Sequence, residues 1–471
     1  MEDELIEDSL PTSLSINTLL RDLRCSNDRF EMFRICAELS REIESISEQD
    51  ENPQYLDDAL NILIRMLDDS TEEERMSKET SFFCITIIEV LRKLLKKYRK
   101  KVKSANLKSR FSELIFNLST LLKEHQIVYK ITQLQEKTPH TLQTEYLSLL
   151  IDIIKVWKLG EPMDDEFDDF VECMSDNIVE LARNIGSAQI SVVRKCLQLT
   201  HLLLKWNPDH ELIDSILCQL RSYGEFLFEI GKDGGLDKVF DPDMTNFYHH
   251  TRTDLQHQFD AESIKLYIKI HVEALFQVLD DVANERMNTT TEMLMLDRLQ
   301  QYSPMYQAIL QDPDFTTKLF RTFGNDDSDT IWILFTFQRY QSIRTSLTIQ
   351  WREFLNKITP NVTIHGVALK FFETLAYDYE ILLDFLISAE TCELFLTFLV
   401  RYLKSFLVPD CFIEFIETVD GDALVQIHSM IENLEASIKS SLKSNVFPYN
   451  ATPLVNRLTA VRKLIYAELK K

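Results

Sequence analysis

Glycine and proline are scarce in this chain, with 9 and 12 among 471 residues. A strand-rich fold turns roughly every eight to twelve residues, and turns consume Gly, Pro and Asn. Helical arrays need far fewer, so the shortage points to an all-α chain. Cysteine is limited to Cys25, Cys36, Cys84, Cys173, Cys196, Cys218, Cys392 and Cys411, with no pair at CxxC spacing. Most sit among apolar residues on helix-like segments, which reads as buried thiols in a reducing compartment rather than a zinc site or disulfide framework. No GxxxxGK[ST], GxGxxG or GxSxG occurs, so neither a phosphate cradle nor a nucleophile elbow is evident. No apolar run reaches the roughly 18 residues that span a bilayer. The stretch 394–408 comes nearest and is interrupted by Arg401 and Lys404.

Positive charge is also short. Against 75 Asp and Glu stand 51 Lys and Arg, a formal charge of −24, which opposes sequence-independent binding to phosphate backbones by the chain as a whole. The start, Met1-Glu2-Asp3-Glu4-Leu5, is acidic where a targeting peptide would be basic. A location in cytoplasm, nucleus or both is expected.

What is present is a folded-protein composition, 45% hydrophobic and 27% charged, patterned at helical spacing almost throughout. Phe83, Ile87, Ile88, Leu91, Leu94, Leu95 and Tyr98 fall on one face. Further helices are predicted at 111–123, 146–158, 167–184, 190–205, 212–228 and 262–283, with short connections, then a polar loop at 284–291. In the Phe-rich second half they are predicted at 330–340, after the turn-forming run 324–328, and at 367–376 and 379–386. Ser388 reads as the N-cap of the next helix, with Glu390 in its first turn. There Cys392, Phe395, Leu396, Leu399, Leu403 and Phe406 form a stripe that Leu394, Phe398 and Tyr402 widen. A helix apolar on so many sides is covered on more than one of them. The fold class expected is all-α, stacked antiparallel helices in a degenerate HEAT- or armadillo-like solenoid, with a compact irregular helical fold as the alternative. The layout expected is a flexible acidic tail (1–20), a helical array (21–223), a Gly-, Asp- and His-rich connection (224–260), a second array (261–440) and a closing element (441–471).

The strongest charge feature is Arg92-Lys93, then Lys96, Lys97, Arg99, Lys100, Lys101 and Lys103, extended by Lys108 and Arg110 without an intervening acid. It reads as an import signal that engages the import machinery, as a patch for nucleic acid or an acidic partner, or as a solvated helix end favoured by the helix dipole. Acidic stretches at 42–51, 68–74 and 164–169 lack the ligand alternation of a calcium loop and read as solvated. His249, His250 and His257, near Asp241, Asp243, Asp254 and Asp260, are the one enzyme-like constellation. Their spacing fits no zinc-hydrolase signature, which leaves a polar loop as the stronger reading and a metal-dependent hydrolase as the other. No catalytic, cofactor or metal residue is assigned.

Two stretches carry a family resemblance. One is Leu382-Leu383-Asp384-Phe385-Leu386-Ile387-Ser388-Ala389-Glu390-Thr391-Cys392, continuing to Val400-Arg401-Tyr402-Leu403-Lys404. The other is Phe447-Pro448-Tyr449-Asn450-Ala451-Thr452-Pro453-Leu454. The first resembles the characteristic "LLDxLIS-ETC" segment of the Lines family. The second is similar to the "FPYNPxPLL" element that closes Lines proteins, with Ala451 where proline is expected. The resemblance makes 261–440 similar to the Lines N-terminal domain and 441–471 to its C-terminal element. Physically, Asp384 and Ser388 would punctuate a helix–turn–helix. Thr452 would cap a final helix with Pro453 at its first position, and Phe447 and Tyr449 would anchor that helix as it packs back through Leu454, Leu458, Val461 and Ile465. The resemblance implies a non-enzymatic regulatory role in developmental patterning, Wnt-related signalling and transcription control. It also implies residence in nucleus and cytoplasm, and partners such as zinc-finger transcription regulators of the odd-skipped type.

Overall fold

The computed structural model describes residues 12–26, 28–45, 54–71, 78–101, 140–157, 190–206, 213–214, 216–218, 220, 261–301, 315–324, 326–344, 346–358, 363–444 and 447–471. Among these residues there are helices and no strand, so the all-α, repeat-like expectation holds. Among the described residues no helix is long and apolar enough to cross a membrane. They fall into two compact units, the described residues up to 220 with 261–273, and those from 274 to 471.

The first unit holds α1 (Thr12–Cys25), α2 (Arg29–Ser45), α3 (Gln54–Thr71), α4 (Lys78–Lys101), α5 (His140–Trp157), α6 (Ile190–Trp206) and the first part of α7 (Ala261–Ala283). Each helix packs on near neighbours in the sequence: α1 on α2 and α3, these two on α4, α4 on α5, and α5 on α6. Leu60, Leu63, Ile64 and Leu67 of α3, at three- and four-residue steps, are buried, as are Phe83, Ile87, Ile88, Leu91, Leu94 and Leu95 of α4. Fully burying each such side chain stabilises the array by about 1.5–3 kcal/mol, so the stripe rather than intrinsic propensity holds each helix in place. The helices expected at 146–158 and 190–205 are α5 and α6. Those expected at 111–123 and 167–184 lie outside the described residues. Of 212–228, the described residues between Ile213 and Leu220 are helical.

The second unit contains the rest of α7, then α8 (Thr289–Gln301), α9 (Phe315–Phe323), α10 (Asp327–Arg344), α11 (Ile349–Ile358), α12 (Ile364–Thr374), α13 (Tyr379–Ile387), α14 (Cys392–Ser405), α15 (Pro409–Thr418), α16 (Gly421–Lys443) and α17 (Thr452–Leu469). Helix α10 buries four consecutive residues, Ile331, Trp332, Ile333 and Leu334, so it must be covered around its circumference. It packs on α9, α12 and α14. Helix α14 likewise packs on α10, α13 and α17, as its wide stripe requires, although Leu394 at the edge of that stripe remains 40% exposed.

Capping chemistry moves several boundaries. Asp326 accepts a hydrogen bond from the Asp329 amide at 3.0 Å, so α10 begins at Asp327, inside the run expected to be a turn. Asn288 accepts from the Thr291 amide at 2.9 Å, which starts α8 at Thr289 and shortens the expected loop. Thr363 caps α12 through the Gly366 amide at 3.0 Å, three residues before the expected start. That helix stops at Thr374 because Ala376 and Tyr377 adopt left-handed φ values of 52° and 56°. Their amides close on Glu373 and Phe372 carbonyls, the arrangement that satisfies orphan carbonyls at a helix end.

The core of the second unit is aromatic. Tyr402 stacks on Phe398 with ring centroids 5.5 Å apart and meets Phe406 edge-on at 5.0 Å. His365, 1% exposed, lies 5.7 Å from the rings of both Phe406 and Phe415. Its Nδ1 is 3.3 Å from the Tyr402 hydroxyl, and it hydrogen-bonds the Cys411 backbone. Burial disfavours the imidazolium and outweighs that hydrogen bond, lowering the His365 pKa from 6.5 to about 4. Above pH 6.5 the imidazole is neutral in both folded and unfolded chains. Between pH 6.5 and about 4 only the unfolded chain gains the proton, so stability is lost as pH falls through this window. Denaturant melts of wild type and His365→Gln across that window should differ progressively, the wild type losing about 3 kcal/mol more. Parallel curves would refute a neutral buried imidazole.

Candidate protein-binding surface

The basic block begins with two residues that are paired within the fold. Arg92 on α4 reaches Asp152 of α5 at 2.8 Å and also pairs with Glu145. Burial opposes its charge, but the hydrogen bonds and attraction of Asp152 and Glu145 more than offset this and raise its pKa. Lys195 on α6 is depressed by burial, then by Arg92 and Lys155. Arg92, Glu145 and Asp152 form a partly buried charge network between α4 and α5. Lys93 pairs with Glu44 at 2.6 Å and donates to Ser40 at 2.7 Å. At these two residues, acids distant in sequence fold onto the start of the run. Lys96 is exposed. The side chains of Lys97, Arg99, Lys100 and Lys101, and the whole of Lys103, lie outside the described residues, although α4 continues to Lys101. Arg92→Met should lower unfolding stability by about 1–3 kcal/mol, through loss of hydrogen bonds to charged groups, and Lys96→Met by less than about 0.5 kcal/mol. Equal effects in urea unfolding would overturn this division.

The residues that resemble the Lines motif also divide. Ser388 does not start a helix. Its amide donates to Asp384 O at 2.8 Å and it ends α13, while Cys392 begins α14 three residues after the expected start. Glu390 accordingly lies in the intervening turn, and Glu393 occupies the first turn of α14. Thr391 is buried and its hydroxyl donates to Phe385 O at 2.9 Å, tying the turn to the helix before it. Tyr402 is buried in the aromatic core, and Cys392 is half-buried. By contrast Asp384, Ser388, Glu390 and Arg401 are exposed. The Arg401 guanidinium lies over the Phe335 ring at 5.9 Å.

The terminal element docks against this turn. Tyr449 donates its hydroxyl to Leu386 O at 3.0 Å and packs edge-on against Phe447, ring centroids 5.0 Å apart. Burial, with Cys392 nearby, pushes its pKa up to about 12. Thr452 is not the cap. Buried Ala451 takes the N-cap position without a side-chain bond, Asn450 accepts from the Thr452 amide at 3.1 Å, and Pro453 is the second helical residue. Pro448 is exposed. Helix α17 then buries Leu454, Leu458, Val461 and Ile465 against α14 and α16, as the spacing predicts. Glu435 of α16, only 3% exposed, accepts from Thr459 at 2.7 Å and Arg462 at 2.9 Å, and also pairs with Lys439. Burial raises its pKa, but these partners win and the net shift is downward. Sequence reasoning passed over this lock, since nothing marks Glu435 apart from an i, i+4 lysine.

The described cysteines are free thiols. Cys36 and Cys196 are buried, and desolvation pushes each up to about 12. Cys25 is exposed, against the expectation of burial. His249, His250 and His257 lie outside the described residues. Among the described residues no three His, Cys, Asp or Glu side chains form a group that could hold a metal ion.

Tyr449→Phe should cost about 1 kcal/mol by removing the bond to Leu386 O, whereas Glu390→Gln should change stability by less than about 0.5 kcal/mol. Chemical denaturation of the full chain reads both, and a costly Glu390→Gln would show that the turn residue is structural.

No curated protein matches the chain. Residues 328–418 run from the second residue of α10 to the end of α15 and stop short of the terminal element. They match the family model described as Lines N-terminus, and through this segment the chain is related to the Lines family.

Proposed function

We propose that the chain is a non-enzymatic regulatory scaffold that binds proteins in nucleus and cytoplasm and acts in developmental, Wnt-related signalling and transcription control. The observation that supports this most is the division within the family-matched segment. Thr391 and Tyr402 are buried in the fold, while Asp384, Ser388, Glu390 and Arg401 of the same motif are displayed. The exposed side chains of Asp384, Ser388 and Glu390, and the solvent side of Arg401, are available for recognition. The turn that carries Ser388 and Glu390 is tied from below by Thr391 and by Tyr449, so a partner would meet a preorganised surface there. Zinc-finger transcription regulators are the partners this reading favours. The surplus of acid, −24 overall, and the engagement of Arg92 and Lys93 in ion pairs weigh against direct nucleic-acid binding through the basic block.

Affinity purification of the tagged full chain from nuclear and cytoplasmic fractions tests the reading. Wild type should retain a discrete set of regulatory proteins, and Asp384→Lys with Glu390→Lys should reduce their recovery at least tenfold with an unchanged melting temperature. Recovery of nothing above an untagged control would sink it. For localisation, substituting Lys96, Lys97, Arg99, Lys100, Lys101 and Lys103 by Gln, while leaving the paired Arg92 and Lys93 intact, should shift the chain from nucleus to cytoplasm. An unchanged distribution would remove the import role of the block.

A further inference from the structure

Helix α15 is thinly covered. Phe415 is its one buried residue, and its main packing partner is α12. Just before and on it, Leu407, Val408 and Ile413 are 50%, 48% and 55% exposed. With Phe415 facing the core, the 100° step per residue places Ile413 on the opposite side. Asp410 and Glu417, three before and four after Ile413, flank it on that outward face, with Glu414 beside them.

These carboxylates oppose one another. Asp410 and Glu414 are an i, i+4 pair and Glu414 and Glu417 an i, i+3 pair, and like charges at such spacings destabilise a helix by about 0.2–0.5 kcal/mol each. Glu417 also stands in the last turn, where the helix dipole disfavours an anion. Asp410 has an ordinary explanation at the helix N-terminus, and Asp420 caps α16 through the Ala423 amide at 2.7 Å. Glu414 and Glu417 have no such account. No Lys or Arg occurs between Ser405 and Ile438, a stretch holding Asp410, Glu414, Glu417, Asp420, Asp422, Glu432 and Glu435. Among the described residues Asp410, Glu414 and Glu417 form no ion pair, with Lys404 of the preceding helix or any other cation. The field is felt by the neighbours: burial raises the Cys411 thiol pKa first, then Glu414 and Asp410 raise it further.

We propose that the outward face of α15, Ile413 bordered by Asp410, Glu414 and Glu417, together with the exposed Leu407 and Val408 in the segment that leads into it, docks a basic amphipathic helix of a partner protein. Apolar residues of that helix would cover the three exposed side chains, and its Lys or Arg would neutralise the repelling acids. An apolar strip alone would accept many occupants, but here the rim selects cationic ones and repels acidic segments and nucleic acid. This assignment rests on the scaffold reading and gives it a specific surface.

The test uses the purified full chain and a fluorescein-labelled synthetic peptide with leucines at i, i+3, i+4 and i+7 and lysines elsewhere. A scrambled peptide of equal composition is the comparison. Anisotropy titration should show salt-sensitive binding of the patterned peptide at least tenfold tighter than the scrambled one. Glu414→Gln with Glu417→Gln, and separately Ile413→Ser, should each weaken it at least tenfold, while Asp384→Asn with Glu390→Gln leaves it unchanged. Melting temperatures serve as folding controls, and neutralising the paired glutamates should leave them equal or higher. Equal binding of the scrambled peptide, or binding indifferent to the α15 substitutions, would overturn the proposal. That result would leave partner capture by the whole chain standing, whereas capture of nothing would defeat the scaffold reading itself.

Discussion

The hydroxyl of Tyr402 and the imidazole of His365 are polar groups in an almost wholly aromatic interior, and much of the second unit follows from their having to satisfy each other. A buried hydroxyl or imidazole without a partner costs about 1–3 kcal/mol. Their contact, 3.3 Å long, therefore sets the register between α12 and α14 more narrowly than ring packing alone would. The His365 bond to the Cys411 backbone brings the start of α15 to the same point. Phe406 and Phe415, 4.6 Å apart, close the cluster. Aromatic contacts are broad in their preferences and tolerate small slides, but two hydrogen bonds at one side chain do not.

With α14 fixed, the turn before it and the terminal element after it become a single construction. Thr391 binds back to Phe385, and Tyr449 binds to the neighbouring carbonyl of Leu386. Both acceptors belong to the last turn of α13, where helix carbonyls lack intrahelical partners. The two stretches that resemble the Lines family, some sixty residues apart in sequence, thus meet by satisfying the end of one helix. This gives their joint occurrence a physical reason, and it explains why Asp384 and Glu390, on the outer side of the same turn, are left facing solvent.

The helices themselves were legible because burial is periodic. Every described apolar residue named in the α4 stripe is buried, and the face expected of α17 is buried at all four positions. Helix ends were less so, since a cap depends on which side chain reaches an amide, and several candidates compete. Ser388 and Thr452 looked like caps by type, yet the chain uses Ser388 to end a helix and Asn450 to serve the Thr452 amide. The surface was least legible. The acids that claim Arg92 lie 53 and 60 residues away in sequence, and Glu435 gains Arg462 only once α16 and α17 pack together. No pattern local to Arg92 or Glu435 contains that information.

These long-range pairings also determine what the surface can offer. The chain carries 24 more acids than bases, and part of its limited cation supply is committed inside the units. Arg92 neutralises Glu145 and Asp152, Arg462 and Lys439 neutralise Glu435, and Arg339 pairs with Asp280. Partly desolvated carboxylates draw cations more strongly than exposed ones, because attraction grows as the local dielectric falls. The deficit is therefore displaced to solvent-facing helices such as α15, where water screens it at little cost. When a partner excludes that water the cost returns, and only a partner bringing positive charge can offset it. An exposed apolar strip bordered by uncompensated acids thus discriminates between partners by charge before any detailed fit is made.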